Sequence, residues 1–75
     1  MPRLDQLAPG QNATVQGVRA RGPLGQRLCE MGLVEGTHVR LLRTAPFGDP
    51  MEFEVQDYLL SLRKAEAAQV DVQAL

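Results

Sequence analysis

Residues 51–63, which read MEFEVQDYLLSLR, carry the clearest structural pattern in this chain of 75 residues. Apolar and acidic residues alternate strictly over Met51–Val55, which predicts a strand with one buried and one solvent-facing side. Residues 58–63 alternate as well, and their expected inward side chains are Tyr58, Leu60 and Leu62. Only Gln56-Asp57 separates the two runs, and a two-residue connection is typical of a β-hairpin.

Two further strands are predicted before this hairpin. Residues 37–43 place Val39 and Leu41 inward. Residues 13–18 form a weaker strand, because Gly17 within it is typical of a bulge or of a close backbone approach. Residues 45–50, with two prolines and one glycine, are predicted to form a loop, because prolines suit neither a helix interior nor a central strand.

The chain contains one clear helical pattern, which opens at Gly22-Pro23, where proline suits the first helical turn. Its narrow apolar stripe is formed by residues spaced i, i+4 and i+7, namely Leu24, Leu28 and Met31. Gly32 fits the left-handed position that ends a helix, and Leu33 is expected to fold back towards Leu28 as in a Schellman cap. A helix of about three turns is unstable alone, so it must dock on the sheet.

The two ends of the chain are predicted to be shorter elements. Residues 4–10 form a lead-in that ends in a turn, residues 64–68 one helical turn, and residues 70–72 a last short strand. Residues 73–75 are expected to fray. This order predicts a mainly β fold, a small closed or nearly closed antiparallel barrel of about five strands with one short α-helix. We expect residues 1–75 to form a single domain.

Composition excludes several classes of protein. A single cysteine forms no internal disulfide and no Cys-based zinc site, which fits a reducing, cytoplasmic setting. No apolar run approaches the roughly 20 residues of a membrane span, and residues 1–5 lack the apolar segment of a secretory signal. A net charge of −1 is a poor match to a nucleic-acid binder, whose affinity depends on neutralising phosphates.

Catalytic and metal-binding groups are sparse. The chain has one histidine, one cysteine and one serine, and no nucleophile–base pair emerges from their spacing. We expect Cys29 to be a small half-buried hydrophobe and His38 to lie on the barrel surface. Glu52 and Glu54 share one strand face, which we interpret as a solvated polar face rather than a metal site. No phosphate-binding loop of the GxxxxGK[ST] kind occurs. The chain is therefore predicted to be non-enzymatic, with no cofactor and no metal site.

The loop at residues 45–50, APFGDP, is the best candidate for recognition. Its prolines and glycine either only fix a turn, with Phe47 packed on the barrel, or they present Phe47 and Asp49 to a partner. The arginines around the start of the helix, Arg19, Arg21 and Arg27, form either a solvated rim or a contact to an acidic partner. The candidate partner-binding residues are Pro46, Phe47, Gly48, Asp49 and Arg27.

Several of these segments together resemble the FeoA family, the small cytoplasmic component of bacterial ferrous iron transport. The matching pieces are RLCEMGL at 27–33, Gly36-Thr37, APFGDP at 45–50, Tyr58 with LSLR at 60–63, and EAA at 66–68. The resemblance covers about residues 4–72. It implies an SH3-like small barrel and a non-enzymatic partner of FeoB, the membrane iron permease with a cytoplasmic GTP-binding domain.

The sequence departs from the family at the hairpin turn, where Asp57 stands at a position that is often glycine. Asp tolerates left-handed geometry better than most residues, so we expect the turn to survive with some strain. The alternative function is an SH3-like regulatory domain acting in iron-dependent transcriptional control, as in the C-terminal part of iron-dependent repressors. The pI near 5.7 and the lack of aromatic stacking platforms argue against it.

Overall fold

The structure, a computed structural model, describes residues 2–75. In these residues five strands form one antiparallel sheet, and from one edge to the other they are the fourth, third, second, first and fifth strands along the chain. This confirms the predicted mainly β architecture with one short helix. Along the chain the elements are a 3-10 turn at Leu4–Gln6, β1 at Asn12–Val18, α1 at Gly22–Glu30, β2 at His38–Thr44, β3 at Met51–Val55, β4 at Tyr58–Leu62, the single turn α2 at Lys64–Ala67, and β5 at Val70–Ala74.

The hydrophobic core follows the alternation read from the strands. In β3 the three apolar side chains are at most 2% exposed, while Glu52 and Glu54 lie at the surface. Every strand and α1 contribute to one cluster. Its largest fully buried members are Phe53, Leu4, Leu28, Leu33, Leu41 and Leu62. The predicted irregularity in β1 is confirmed, because its register against β5 shifts between Val15 and Gly17.

The helix docks on the sheet as its apolar stripe predicts. Leu28 is completely buried, and the other two stripe residues pack partly buried against the core. At the C-terminal end Gly32 has a φ of 96°, and the Leu33 N–H donates to the Leu28 carbonyl at 3.2 Å. The expected Schellman-type cap is thus confirmed. Gly25, which the sequence did not single out, faces the Ala20 carbonyl so closely that a Cβ would collide with it.

The hairpin turn forms, but its left-handed residue is Gln56, with a φ of 56°, and not Asp57 as expected. In one of the common two-residue hairpin turns only the first central residue has a positive φ, which accounts for the difference. Tyr58 lies opposite the buried Val55 and therefore faces inward as predicted, but it is not buried, since 40% of this residue is exposed. The reason is that β4 lies at the edge of the sheet, where Leu60 is half-buried and only Leu62 is fully buried.

Two other expectations are corrected. The C-terminal end does not fray, because Gln73 and Ala74 pair with β1 and the Leu75 N–H donates to the Asn12 carbonyl at 3.0 Å. β1 starts early enough to offer these residues backbone partners. Cys29 is exposed rather than half-buried, because α1 turns Leu28 to the core and leaves the next position outside. His38 lies on the surface, as predicted.

Candidate functional site

The loop between β2 and β3 is closed by its own backbone and displays one aromatic side chain. The Ala45 N–H donates to the Pro50 carbonyl at 3.0 Å, and the Gly48 N–H donates to the Ala45 carbonyl at 2.7 Å. Gly48 has a φ of 87°, a left-handed conformation that glycine adopts without strain. These bonds leave Phe47 at the tip with 99% of its surface exposed. Of the two sequence interpretations, packing of Phe47 on the barrel does not occur.

Asp49 anchors the loop to the neighbouring helical turn. Its Oδ1 accepts a hydrogen bond of 2.8 Å from the backbone N–H of Lys64, the first residue of α2. The first N–H groups of a helix have no partner within the helix, so this carboxylate satisfies one of them. Asp49 is therefore held in place, and Phe47 is the loop side chain free to contact another molecule.

An exposed ion pair lies at the base of the loop. Arg43 and Glu52 are paired in register near the ends of β2 and β3, and the Arg43 Nε lies 2.5 Å from the Glu52 Oε1. The hydrogen bond from Arg43, and next its charge, hold the pKa of the Glu52 carboxyl below its usual range. The same contact raises the pKa of Arg43. The backbone pairing of the two strands thus places this ion pair where they enter the loop.

Arg27 lies beside the loop rather than in it. A groove of about 390 Å³ separates α1 from the end of β4, and it is lined by Arg27, Met31, Pro50, Ser61, Leu62, Arg63 and Glu66. Arg27 pairs with Glu66 of α2, so that its charge is partly neutralised within the chain. The structure therefore brings Arg27 to the same groove as Pro50, which ends the loop.

Arg19, before the start of the helix, also has an acidic partner. Its Nη2 lies 2.7 Å from the Asp71 Oδ1.

The polar face of β3 is occupied by ion pairs. Glu52 binds Arg43, and Glu54 lies 3.2 Å from the Arg40 guanidinium. Within residues 2–75 no three His, Cys, Asp or Glu side chains come together as a set that could hold a metal ion. Over the same residues, no helix has both the length and the apolar character needed to cross a bilayer.

One exposed feature was not recognised from the sequence. Leu59, on the outer face of β4, is 72% exposed, and it lines a shallow hollow of about 170 Å³ with Leu42 and Leu60. The sequence does place Leu59 at an outward position of an alternating strand. The pattern alone does not show that this strand, β4, lies at the edge of the sheet.

Comparison with known proteins gives consistent matches over the whole chain. A family model described as the FeoA domain matches residues 3–74. A fusion protein of Fe(2+) transport protein A and the Fe(2+) transporter FeoB from Porphyromonas gingivalis is 36% identical over 73 residues. This match covers 97% of the chain but only 9% of the fusion protein.

Solved structures agree with the sequence matches. The FeoA protein from Chlorobium tepidum is 38% identical with a TM-score of 0.91, over 99% of this chain and 70% of that one. Stenotrophomonas maltophilia FeoA, complexed with zinc and described as a prokaryotic SH3 domain protein, is 31% identical with a TM-score of 0.86, over 97% and 91% of the two chains. The SH3-like fold is thereby confirmed. A manganese-dependent transcriptional repressor has a TM-score of 0.88 at 17% identity, a likeness of fold alone.

Proposed function

Because the chain belongs to the FeoA family, we propose that it is a non-enzymatic, cytoplasmic accessory protein of bacterial ferrous iron uptake. In this proposal residues 1–75 act as one domain that binds the cytoplasmic part of a FeoB-type permease and modulates it. The family is linked to ferrous iron transport, and it occurs joined to FeoB in one polypeptide of P. gingivalis. Joining two domains raises their effective concentration, so even a weak contact between them is then occupied.

The single observation that carries the proposal is the exposure of Phe47. An aromatic side chain that is 99% exposed contributes almost nothing to the core. The loop beneath it is held by two internal backbone hydrogen bonds and by the bond from Lys64 to Asp49. A prearranged loop loses little entropy on binding, and buried aromatic residues commonly dominate interface energies.

The remaining candidate residues have supporting roles in this proposal. Pro46 and Gly48 shape the tip, and Asp49 keeps the loop against α2. Arg27 borders the groove next to Pro50 and offers part of its guanidinium to an acidic partner surface. Such a domain modulates transport if it binds one conformational state of the permease more tightly than another, because a ligand shifts an equilibrium by its difference in affinity.

The test is calorimetric titration of the purified chain into the purified cytoplasmic domain of a FeoB-type permease from the same organism. Phe47→Ala is expected to weaken binding by about 2 kcal/mol, roughly 30-fold. Leu75→Ala is the matched control. Leu75 is also a large apolar residue with 73% exposure, but it lies outside the loop. Unchanged affinity of a folded Phe47→Ala variant would place the interface elsewhere. A parent chain that does not bind at all would overturn the proposed function.

A further inference from the structure

The two outer strands of the sheet differ in what covers their free edges. β5 is protected by the N-terminal segment, because the Val72 N–H donates to the Pro2 carbonyl at 2.9 Å and Arg3 forms a bridge with Asp71. β4 pairs with β3 on one side only. Within residues 2–75 no backbone group lies hydrogen-bonded to its other side.

The hairpin register determines which backbone groups of β4 face outward. Val55 and Tyr58 flank a two-residue turn and therefore exchange both hydrogen bonds. Since hydrogen-bonding direction alternates along a strand, Leu60 and Leu62 also bond to β3. The N–H and C=O groups of Leu59 and Ser61 consequently point away from the sheet. They form a short row of unsatisfied donors and acceptors.

The β4 strand itself lacks the usual features that prevent strand pairing, and α1 faces its end only across the open groove that Arg27 and Ser61 line. Exposed edges are commonly blocked by charged side chains, proline, a bulge or a covering segment. Tyr58–Leu62 reads YLLSL, with no charge and no proline, and its register against β3 is regular. Two of its side chains, Tyr58 and Leu59, are large apolar groups with 40% and 72% exposure.

We propose that this edge pairs antiparallel with the β4 strand of a second copy of the chain, about a two-fold axis at Leu60. In this register Leu59 of each chain lies opposite Ser61 of the other. Their outward-facing N–H and C=O groups then form four hydrogen bonds between the chains. The interface is isologous, with the same surface used by both copies, as in most protein dimers.

Charge complementarity selects this register. Asp57 and Arg63 stand three positions before and after Leu60, directly outside β4, so that this register brings each towards its counterpart at the two ends of the strand pair. Both residues are exposed, and neither makes an ion pair within residues 2–75. Opposite charges across a strand pair stabilise it, and like charges destabilise it. A two-fold axis at Leu59 or Ser61 instead places Asp57 opposite Ser61 or Ala65, without this pairing.

Charge reversal tests both the contact and its register, with the chain alone studied by sedimentation equilibrium over a range of concentrations. The parent is expected to self-associate reversibly to a dimer. Asp57→Arg and Arg63→Asp each place like charges opposite one another at both ends, and each is expected to weaken association about tenfold. An equimolar mixture of the two variants restores opposite charges across the strands and is expected to associate like the parent.

A second pair of variants tests the backbone contact itself. Ser61→Pro removes an outward N–H that β3 does not use, and proline is tolerated at such positions of edge strands. This variant is expected to be monomeric with the parent's circular dichroism spectrum, while Ser61→Ala still dimerises. Phe47→Ala is expected to dimerise as the parent does, which separates this inference from the proposed permease contact.

Three outcomes would overturn the inference. The first is a parent chain that is monomeric at every concentration up to about 1 mM. The second is a dimer that forms equally well in all the charge variants, and the third is a mixture of the two reversals that stays monomeric. If the chain stays monomeric and its β4 edge instead captures an extended segment of another protein, this counts as the first outcome, because the edge then binds a different partner.

Discussion

Phe53 and Phe47 are six residues apart, yet they occupy opposite environments. Phe53 lies in β3 and is completely buried, whereas Phe47 lies at the tip of the preceding loop and is 99% exposed. The side chains are chemically identical, so the backbone makes the difference. Strand alternation turns Phe53 to the core, and the turn around Gly48 carries Phe47 away from it. The same ring is therefore buried by the alternation of a strand and exposed by the turn of a constrained loop.

The sharpest test of this comparison is to truncate both rings. Phe53→Ala is expected to lower the free energy of unfolding by about 3–5 kcal/mol, because it removes a fully buried ring and leaves a cavity. Phe47→Ala is expected to change it by no more than about 0.5 kcal/mol, as for other surface substitutions. Urea denaturation midpoints measure both. Similar midpoints for the two variants would show that the loop ring is part of the folded core after all.

The comparison of buried with exposed side chains applies equally to the helix, where Leu28 is the buried residue. Leu28→Ala is expected to cost about 2–5 kcal/mol, since this residue is fully buried and α1 depends on docking for its stability. Cys29→Ala is the matched control, because Cys29 is the next residue of the same helix and is exposed. The expected change for Cys29→Ala is within about 0.5 kcal/mol. Equal denaturation midpoints for the two variants would contradict the role of Leu28 as the helix anchor.

Asp49 tests how firmly the loop is held. Asp49→Ala is expected to lower stability by about 1 kcal/mol, because the Lys64 N–H loses its acceptor. The exchange rate of the Lys64 amide hydrogen, measured by NMR, is expected to rise. Asp49→Asn keeps an oxygen at the same position and is expected to retain most of the protection. An exchange rate that is the same in all three proteins would mean that this bond does not hold the loop.

The smallest expected effect is the pH dependence at the base of the loop. Because Arg43 lowers the pKa of Glu52 below its usual value of 4.5, the ion pair stabilises the fold above that pH. This contribution is lost as the pH falls through the lowered pKa. Both side chains are solvent-exposed, so the effect is small. Denaturation midpoints between pH 5 and pH 2 are expected to fall more for the parent than for Glu52→Gln, and parallel curves would rule out the coupling.

Local patterns predicted most of the fold. The alternation in Met51–Val55 and the two-residue turn at Gln56-Asp57 identified the hairpin of β3 and β4, because side-chain direction in a strand depends only on the neighbouring residues. Gly32 and the stripe through Leu28 likewise predicted the helix end and its docked face. The position of the loop between β2 and β3 followed from the turn chemistry of APFGDP. The exposure of Phe47 was one of two alternatives that only the structure separated.

The remaining features depend on contacts between residues distant in sequence. Tyr58 was expected inward because its strand alternates, but its exposure depends on β4 being an edge strand. The pairing of Gln73 with Thr14 and of Ala74 with Ala13 depends on where β1 begins, far earlier in the chain. No local pattern contains the bond between Asp49 and Lys64.

Local sequence patterns were therefore sufficient to predict the set of elements, the inward face of each central strand and the family to which the chain belongs. These properties depend on residue type and short-range spacing, and both can be read directly from the sequence. The order of the strands, and with it which edge is covered and which is free, depends on pairing between strands that no local pattern encodes. The same holds for the anchoring of the loop by Asp49, because this bond requires the loop and α2, 15 residues apart, to meet in space.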